Sequence, residues 1–328
     1  MNLSEITYPL DTKDRVQNLL VEEATRTSTP VPMPDEPELS KPRPLVRRTV
    51  LLAAAATVLA GALVATDAID LLWRSPATAE AVEALDSAAT QTLKASDPAM
   101  RPDQFLQVDI TAVYTDHGIG GAGSLYWLES QNRQMYVPAD GRGPWTINFE
   151  ESRPVAYFGE ATEAAVLELE ARTPRSRSER GDLRQVEAPL STEELAALPL
   201  EPQKLLETIR GKGNSDDVQA FGWISDLLRT GVLSAKLRAA LYRAAALIPG
   251  VSIADRQATL NGSEGIAIGM VDNRDNTRRE MILDRETGQF IGERVVDLDG
   301  YDAVPPGTTT AWTAVTTSVV DTAPLPSK

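Results

Sequence analysis

Phe105-Leu106-Gln107-Val108-Asp109-Ile110-Thr111-Ala112-Val113-Tyr114 marks a change of period in the chain. Apolar and polar residues partly alternate, and β-branched and aromatic types dominate. That pattern predicts a half-buried strand. Ser124–Ser130, Arg133–Val137, Trp145–Phe149 and Val155–Phe158 repeat it after short turns, which predicts a run of antiparallel strands.

Upstream, Thr78 to Ala95 carries Ala81, Val82, Leu85, Ala88, Ala89, Thr92 and Leu93 at helical spacing. Ser96, Asp97, Pro98 and Pro102 stop that helix. Downstream, Glu160–Ala171 has a weaker helical pattern. Thr173 to Arg184 is polar, with Arg175, Arg177, Arg180 and Arg184 interspersed by Glu179 and Asp182, and reads as an exposed loop. Ser191-Thr192-Glu193-Glu194 is a capping box. Pro202 suits a first helical turn, and Gly211 follows Leu205, Leu206 and Ile209. Asp216–Thr230 and Ser234–Ile248 add two more helices, the second stopped by Pro249-Gly250. The chain then returns to strands at Ile253–Leu260, Gly265–Asp272, Arg279–Asp284, Gln289–Asp297 and Thr308–Val320. Asn273–Thr277 and Glu286-Thr287-Gly288 supply hairpin turns. Strands, then helices, then strands predict an α+β domain: an antiparallel sheet with a helical layer from residues 191–248. A half-barrel of the lipoprotein-carrier type is the shape that analogy suggests.

The other decisive stretch is Thr49–Thr66, TVLLAAAATVLAGALVAT. It has 18 residues, no charge, and 14 of them are Ala, Val or Leu. As a helix it spans roughly 27 Å, close to the ~30 Å hydrocarbon core. Trp73 suits an interfacial anchor. Lys41, Arg43, Arg47 and Arg48 precede the span, and only Arg74 follows closely. That asymmetry predicts a cytoplasmic N-terminus and an extracytoplasmic C-terminal region, with the bilayer as a partner. A buried Ala-rich helix is one alternative. A cleaved signal peptide is another, since Arg47-Arg48 is a twin-arginine pair and Ala77-Thr78-Ala79 fits a cleavage site. Against cleavage stand the 46 residues before the pair and the polar stretch between Thr66 and Ala77. Ala53, Thr57, Gly61 and Ala65 form a small-residue stripe of the kind that lets helices approach, though an Ala-rich span also produces one by chance. The expected organisation is a cytoplasmic tail at 1–46, a transmembrane helix with flanks at 47–73, and an extracytoplasmic domain at 74–328. In the tail, Asp11–Ala24 fits one helix. Six prolines between Thr29 and Leu45 impose an extended linker.

The chain has 328 residues, no cysteine and one histidine, His117. Disulfides, thiolate metal sites and multi-histidine metal sites are excluded. Its net charge of −15 disfavours nucleic acid as a partner. Gly118-Ile119-Gly120-Gly121-Ala122-Gly123 has dinucleotide-binding spacing. A strand follows it, however, where the phosphate site needs a helix N-terminus, so it reads as a hairpin loop. His117 is placed in that loop and read as solvated. Asp272, Arg274, Asn276 and Glu280 only faintly match a calcium loop, because Thr277 stands where glycine is needed. Asp67, Asp70, Asp86 and the other carboxylates show no paired spacing. No catalytic, cofactor or metal residues are assigned, and no cofactor is expected.

Leu237–Val251 (LRAALYRAAALIPGV), Asn261-Gly262, Gly265–Ile268 (GIAI) and Asp284–Glu293 (DRETGQFIGE) carry a resemblance. With the basic flank and Ala-rich span before them, they resemble an uncharacterised family of actinobacterial single-pass membrane proteins. Those proteins are often encoded beside extracytoplasmic-function sigma factors. The likeness covers residues 45–320 and implies a link to sigma-factor regulation, with no catalytic residues to carry over. The tail has neither Cys nor His, so it cannot form a zinc anti-sigma site. The expectation is a single-pass membrane protein with a non-catalytic extracytoplasmic domain that binds or senses an envelope ligand or protein. Two rivals remain. One is an envelope hydrolase using carboxylates; the other is a direct transmembrane anti-sigma regulator that binds a sigma factor.

Overall fold

The structure is a computed structural model that describes residues 75–120, 123–141, 145–172, 190–212 and 216–324. The span, its basic flank and the tail lie outside the described residues. So do Lys41, Arg43, Arg47, Arg48, Trp73 and the stripe Ala53, Thr57, Gly61 and Ala65. Among the described residues no helix is long and apolar enough to cross a membrane.

The fold is α+β. Helix α1 (Ala79–Ala95) precedes strands β1 (Phe105–Gly120), β2 (Gly123–Ser130), β3 (Arg133–Pro138), β4 (Thr146–Phe149) and β5 (Arg153–Phe158). Helices α2 (Glu163–Arg172), α3 (Thr192–Ala196), α4 (Pro202–Gly211), α5 (Asp217–Arg229) and α6 (Ala235–Ala245) follow. Strands β6 (Ser252–Leu260), β7 (Ser263–Asp272), β8 (Thr277–Leu283), β9 (Phe290–Asp297) and β10 (Thr309–Val320) complete it. All the strand pairs are antiparallel, in the order β4-β3-β1-β10-β9-β8-β7-β6, with β2 on β1 and β5 on β2. β2 and β3 lie end to end along one edge of β1, separated at Gln131-Asn132. There the Gln131 N–H donates to the Ala112 carbonyl at 2.8 Å, and the Asn132 side chain accepts from the Ala112 N–H at 3.2 Å.

The helices form because each carries its own start signal. Thr78, Asp216 and Ser234 accept bonds from the first-turn N–H groups of α1, α5 and α6, and Ser191 and Glu194 close the capping box of α3. Helix α5 buries Phe221, Ile224, Leu227 and Leu228 against the sheet. Each such side chain contributes about 1.5–3 kcal/mol. Leu93, expected on the inner face of α1, is exposed instead, because the buried stripe of Ala81, Leu85, Ala88, Ala89 and Thr92 leaves it on the flank of the helix.

The main core lies between the helices and one face of the sheet, where Val108, Ile110 and Ala112 meet Leu237, Leu241 and Ile268. A second cluster fills the opposite face with Val113, Leu128, Ala258, Leu260, Ile282 and Ala314. On that face the sheet curls. Leu260 of β6 lies over Gly292 of β9, where an added Cβ would sit 2.6 Å from Leu260 Cδ2 and 2.0 Å from the Thr313 carbonyl oxygen. Asp255 of β6 likewise reaches Arg294 of β9 at 3.5 Å. Two intervening strands would keep these side chains apart in a flat sheet.

Candidate functional site

Two clefts and one exposed face carry the functional side chains. The first cleft, about 380 Å³, opens between α5 and the ends of β7, β8 and β9. Trp223, Met270 and Val295 line it with Asp226, Arg274 and Arg279. Arg274 donates to Asp272 at 2.7 Å and to Asp216, the α5 cap, at 2.9 Å. The Arg274 hydrogen bonds hold the Asp272 carboxyl below its ordinary value, against the opposing effect of burial. Deeper in, Arg229 pairs with Asp226 at 3.1 Å and with Glu293 at 2.5 Å. Arg279 lies 3.6 Å from both of those carboxylates. Glu293 is buried, and desolvation raises its carboxyl although both arginines pull the other way. The arrangement joins two carboxylates to two guanidinium groups, so both acids are neutralised in place.

The second cleft, about 270 Å³, lies between the α5–α6 turn and the sheet. Met100, Leu106, Leu228, Val232, Phe290 and Val315 make it largely apolar. At its rim Arg238 pairs with Asp97 at 3.2 Å, and Asp97 also accepts from the Ala235 N–H at 2.8 Å. Such a cleft can take an apolar group without leaving a charge unpaired.

The third feature is the far end of the β1–β2 hairpin. His117 stands opposite Tyr126, with ring centroids 6.1 Å apart and planes 24° from parallel. Tyr126 meets Tyr301 edge-on at 5.6 Å and donates a hydrogen bond to Asp302. That bond, and burial after it, raise the Tyr126 hydroxyl above the ordinary phenol value.

These positions correct one reading and bear on others. His117 is not in the glycine-rich loop. It belongs to β1, which stays paired with β2 as far as Gly120 opposite Gly123. The GxGxxG spacing does form a hairpin between two strands, with no helix N-terminus after it. Asp272 and Arg274 bond each other in a turn, whereas Glu280 is buried on β8, so they do not converge on one ion. Asp86 pairs with Arg243. Among the described residues no group of three or more His, Asp or Glu could hold a metal ion. Arg175, Arg177, Arg180 and Arg184 lie outside the described residues, as do Asp67 and Asp70.

Sequence reasoning missed the Arg229–Glu293–Arg279–Asp226 group and the Arg278–Glu280–Arg294 group. In the latter, Glu280 accepts at 2.6 Å from each arginine. Part of the signal was present: Glu293 and Arg294 interrupt β9, which is otherwise apolar from Phe290 to Val296, where charges need partners.

No family model and no curated protein matches the chain. The crystal structure of MucB aligns with 76% of this chain and 61% of that one, at 10% identity and a TM-score of 0.23. The chain thus spans less than two thirds of that protein's length. The likeness is too slight to carry over either a fold or a function.

Proposed function

We propose that this is a single-pass membrane protein whose residues 74–328 form a non-catalytic extracytoplasmic domain that binds or senses a partner, linked to sigma-factor signalling. The observation that carries the reading is the uncharged stretch Thr49–Thr66 behind Lys41, Arg43, Arg47 and Arg48. The start of the domain supports it. The Ser75 carbonyl accepts from the Gly250 N–H at 2.8 Å, and the Thr78 N–H donates to the Val251 carbonyl at 2.9 Å. The chain is therefore fixed into the domain from Ser75 on, nine residues after Thr66 in sequence. The curled sheet, taken as half of a barrel, and the apolar cleft beside it favour binding.

The hydrolase rival has its best carboxylate pair in Asp226 and Glu293, and the same two arginines hold both. A general acid and its partner carboxylate need freedom to exchange protons with substrate, and these ion pairs oppose that. The sigma-factor link rests on the resemblance of residues 45–320. The test is a pull-down with residues 1–46 as bait from cells of the source organism. Recovery of a sigma factor favours the direct transmembrane regulator. If no sigma factor is recovered with the tail or with the full chain, the signalling link is wrong.

A further inference from the structure

We propose that the aromatic face at the far end of the β1–β2 hairpin is a docking surface for a partner protein's lysine- and arginine-rich segment. Three pieces of chain meet there. The hairpin pairs with β5, placing His117, Tyr126 and Phe158 in one row across three strands. The β9–β10 loop closes on this row through Tyr301 and Asp302. An added Cβ on Gly159, just past β5, would sit 2.6 Å from the Ala303 Cβ, so the β5 end also touches that loop.

The charge on these pieces is one-sided. Residues 115–128, 154–163 and 297–310 contain six carboxylates and no lysine or arginine; Glu160, Asp299 and Asp302 are exposed on the loops at this face, whereas Asp116 and Glu163 belong to the other side of the sheet and Asp297 is buried. The rest of the described sheet is laced with arginine–carboxylate pairs, so this is a local departure from the pattern of the fold. The face is also open to solvent: His117, Tyr301 and Asp302 are exposed, and Ile119, on the same side of β1, is 81% exposed.

Exposed aromatic faces ringed by carboxylates attract organic cations. Lysine and arginine suit this surface in both parts. Their aliphatic stems can lie on Tyr126, Tyr301 and Ile119 while the cationic heads reach Asp299 and Asp302. A row three strands wide extends about 10 Å, which suits an extended segment with several side chains more than one small cation. An anionic bilayer is repelled by the same carboxylates.

The experiment titrates the full chain, in detergent micelles, against a fluorescent oligopeptide of alternating lysine and arginine at about 0.15 M salt. The variants are Tyr301→Ala, Asp302→Asn and, as a control removing the same charge elsewhere, Glu83→Gln on α1. Tyr301 and Asp302 sit on an exposed loop. Asp302 has φ 46°, a conformation asparagine tolerates well, so both variants fold. Tyr301→Ala and Asp302→Asn should each weaken binding about five- to tenfold, and Glu83→Gln less than about twofold. The proposal is overturned if the unmodified chain does not bind the peptide, or if Glu83→Gln weakens binding as much as Asp302→Asn. It is also overturned if Tyr301→Ala has no effect, if tetramethylammonium or magnesium displaces the peptide at equal charge, or if anionic vesicles bind better than the peptide.

Discussion

Glu280 and Arg294 place a charge pair on the inner face of the curl, with relative exposures of 0% and 4%. Arg278 supplies Glu280 with a second guanidinium, and Asp255 reaches Arg294 from β6. Removing one partner leaves an uncompensated buried charge, which typically costs about 3–5 kcal/mol. Arg294→Met should therefore lower the urea midpoint by an equivalent amount with the slope unchanged. A loss below about 1 kcal/mol would mean that Arg278 alone neutralises Glu280. These residues also show how far sequence reading reaches. The alternation that places Ile282 and Met281 on opposite faces is visible in the sequence. The partner of Glu280 is not, because Arg294 comes into register only through the β8–β9 pairing. His117 was misplaced for a related reason: glycines signal a turn without saying how many residues it needs.

Among the elements, α1, α5 and α6 were legible because cap, apolar stripe and stop coincide in each. The β8–β9 turn at Glu286-Thr287-Gly288 was legible for the same kind of reason. Caps supplied from a distance were not legible. Asp97 accepts from the Ala235 N–H with both carboxylate oxygens, at 2.8 and 2.9 Å, although 138 residues separate the two. It ties the end of α1 to the start of α6 while Ser234 caps the next turn. Asp97→Ala should cost about 1–2 kcal/mol. Asp86→Ala, which breaks an exposed pair with Arg243, should cost no more than about 0.5 kcal/mol. Equal losses would reduce Asp97 to another surface charge. The β7–β8 turn gives a pH test. Arg274 lowers the Asp272 carboxyl, so the stabilisation from Asp272 is present above its unfolded value near 4 and is lost as pH falls through its lower folded value. The difference in stability between the unmodified chain and Asp272→Asn should be constant from pH 7 to about 5 and shrink below about 4. A difference that grows on acidification would contradict the assignment.

For the molecule as a whole, the α+β class was legible from the order of strand and helix patterns alone. The curl was not, since it depends on Leu260 finding the gap above Gly292 three strands away. That long-range closure bears on whether residues 75–328 can fold without the span. Their main core runs from α1 to β10 and draws on every helix of the middle layer. The sheet edges are blunted by register shifts in β6 and by Pro154 in β5. No disulfide is required, because the chain has no cysteine. Helix α1 is the element at risk in such a fragment, since it begins only four residues after the cut at Ser75. Its attachments are internal, however: Thr78 to Val251, Thr92 to the Gly288 carbonyl at 2.8 Å, and Leu85 inside the core. The fragment should therefore be soluble and melt in one cooperative transition in reducing buffer. Shortening it further to begin at Gln104, which deletes α1, should abolish that transition, because the sheet and α6 would then expose the surface that α1 covers. If the longer fragment aggregates while the full chain stays folded in detergent, residues 1–74 stabilise the domain directly. The domain and residues 1–74 would then be one folding unit.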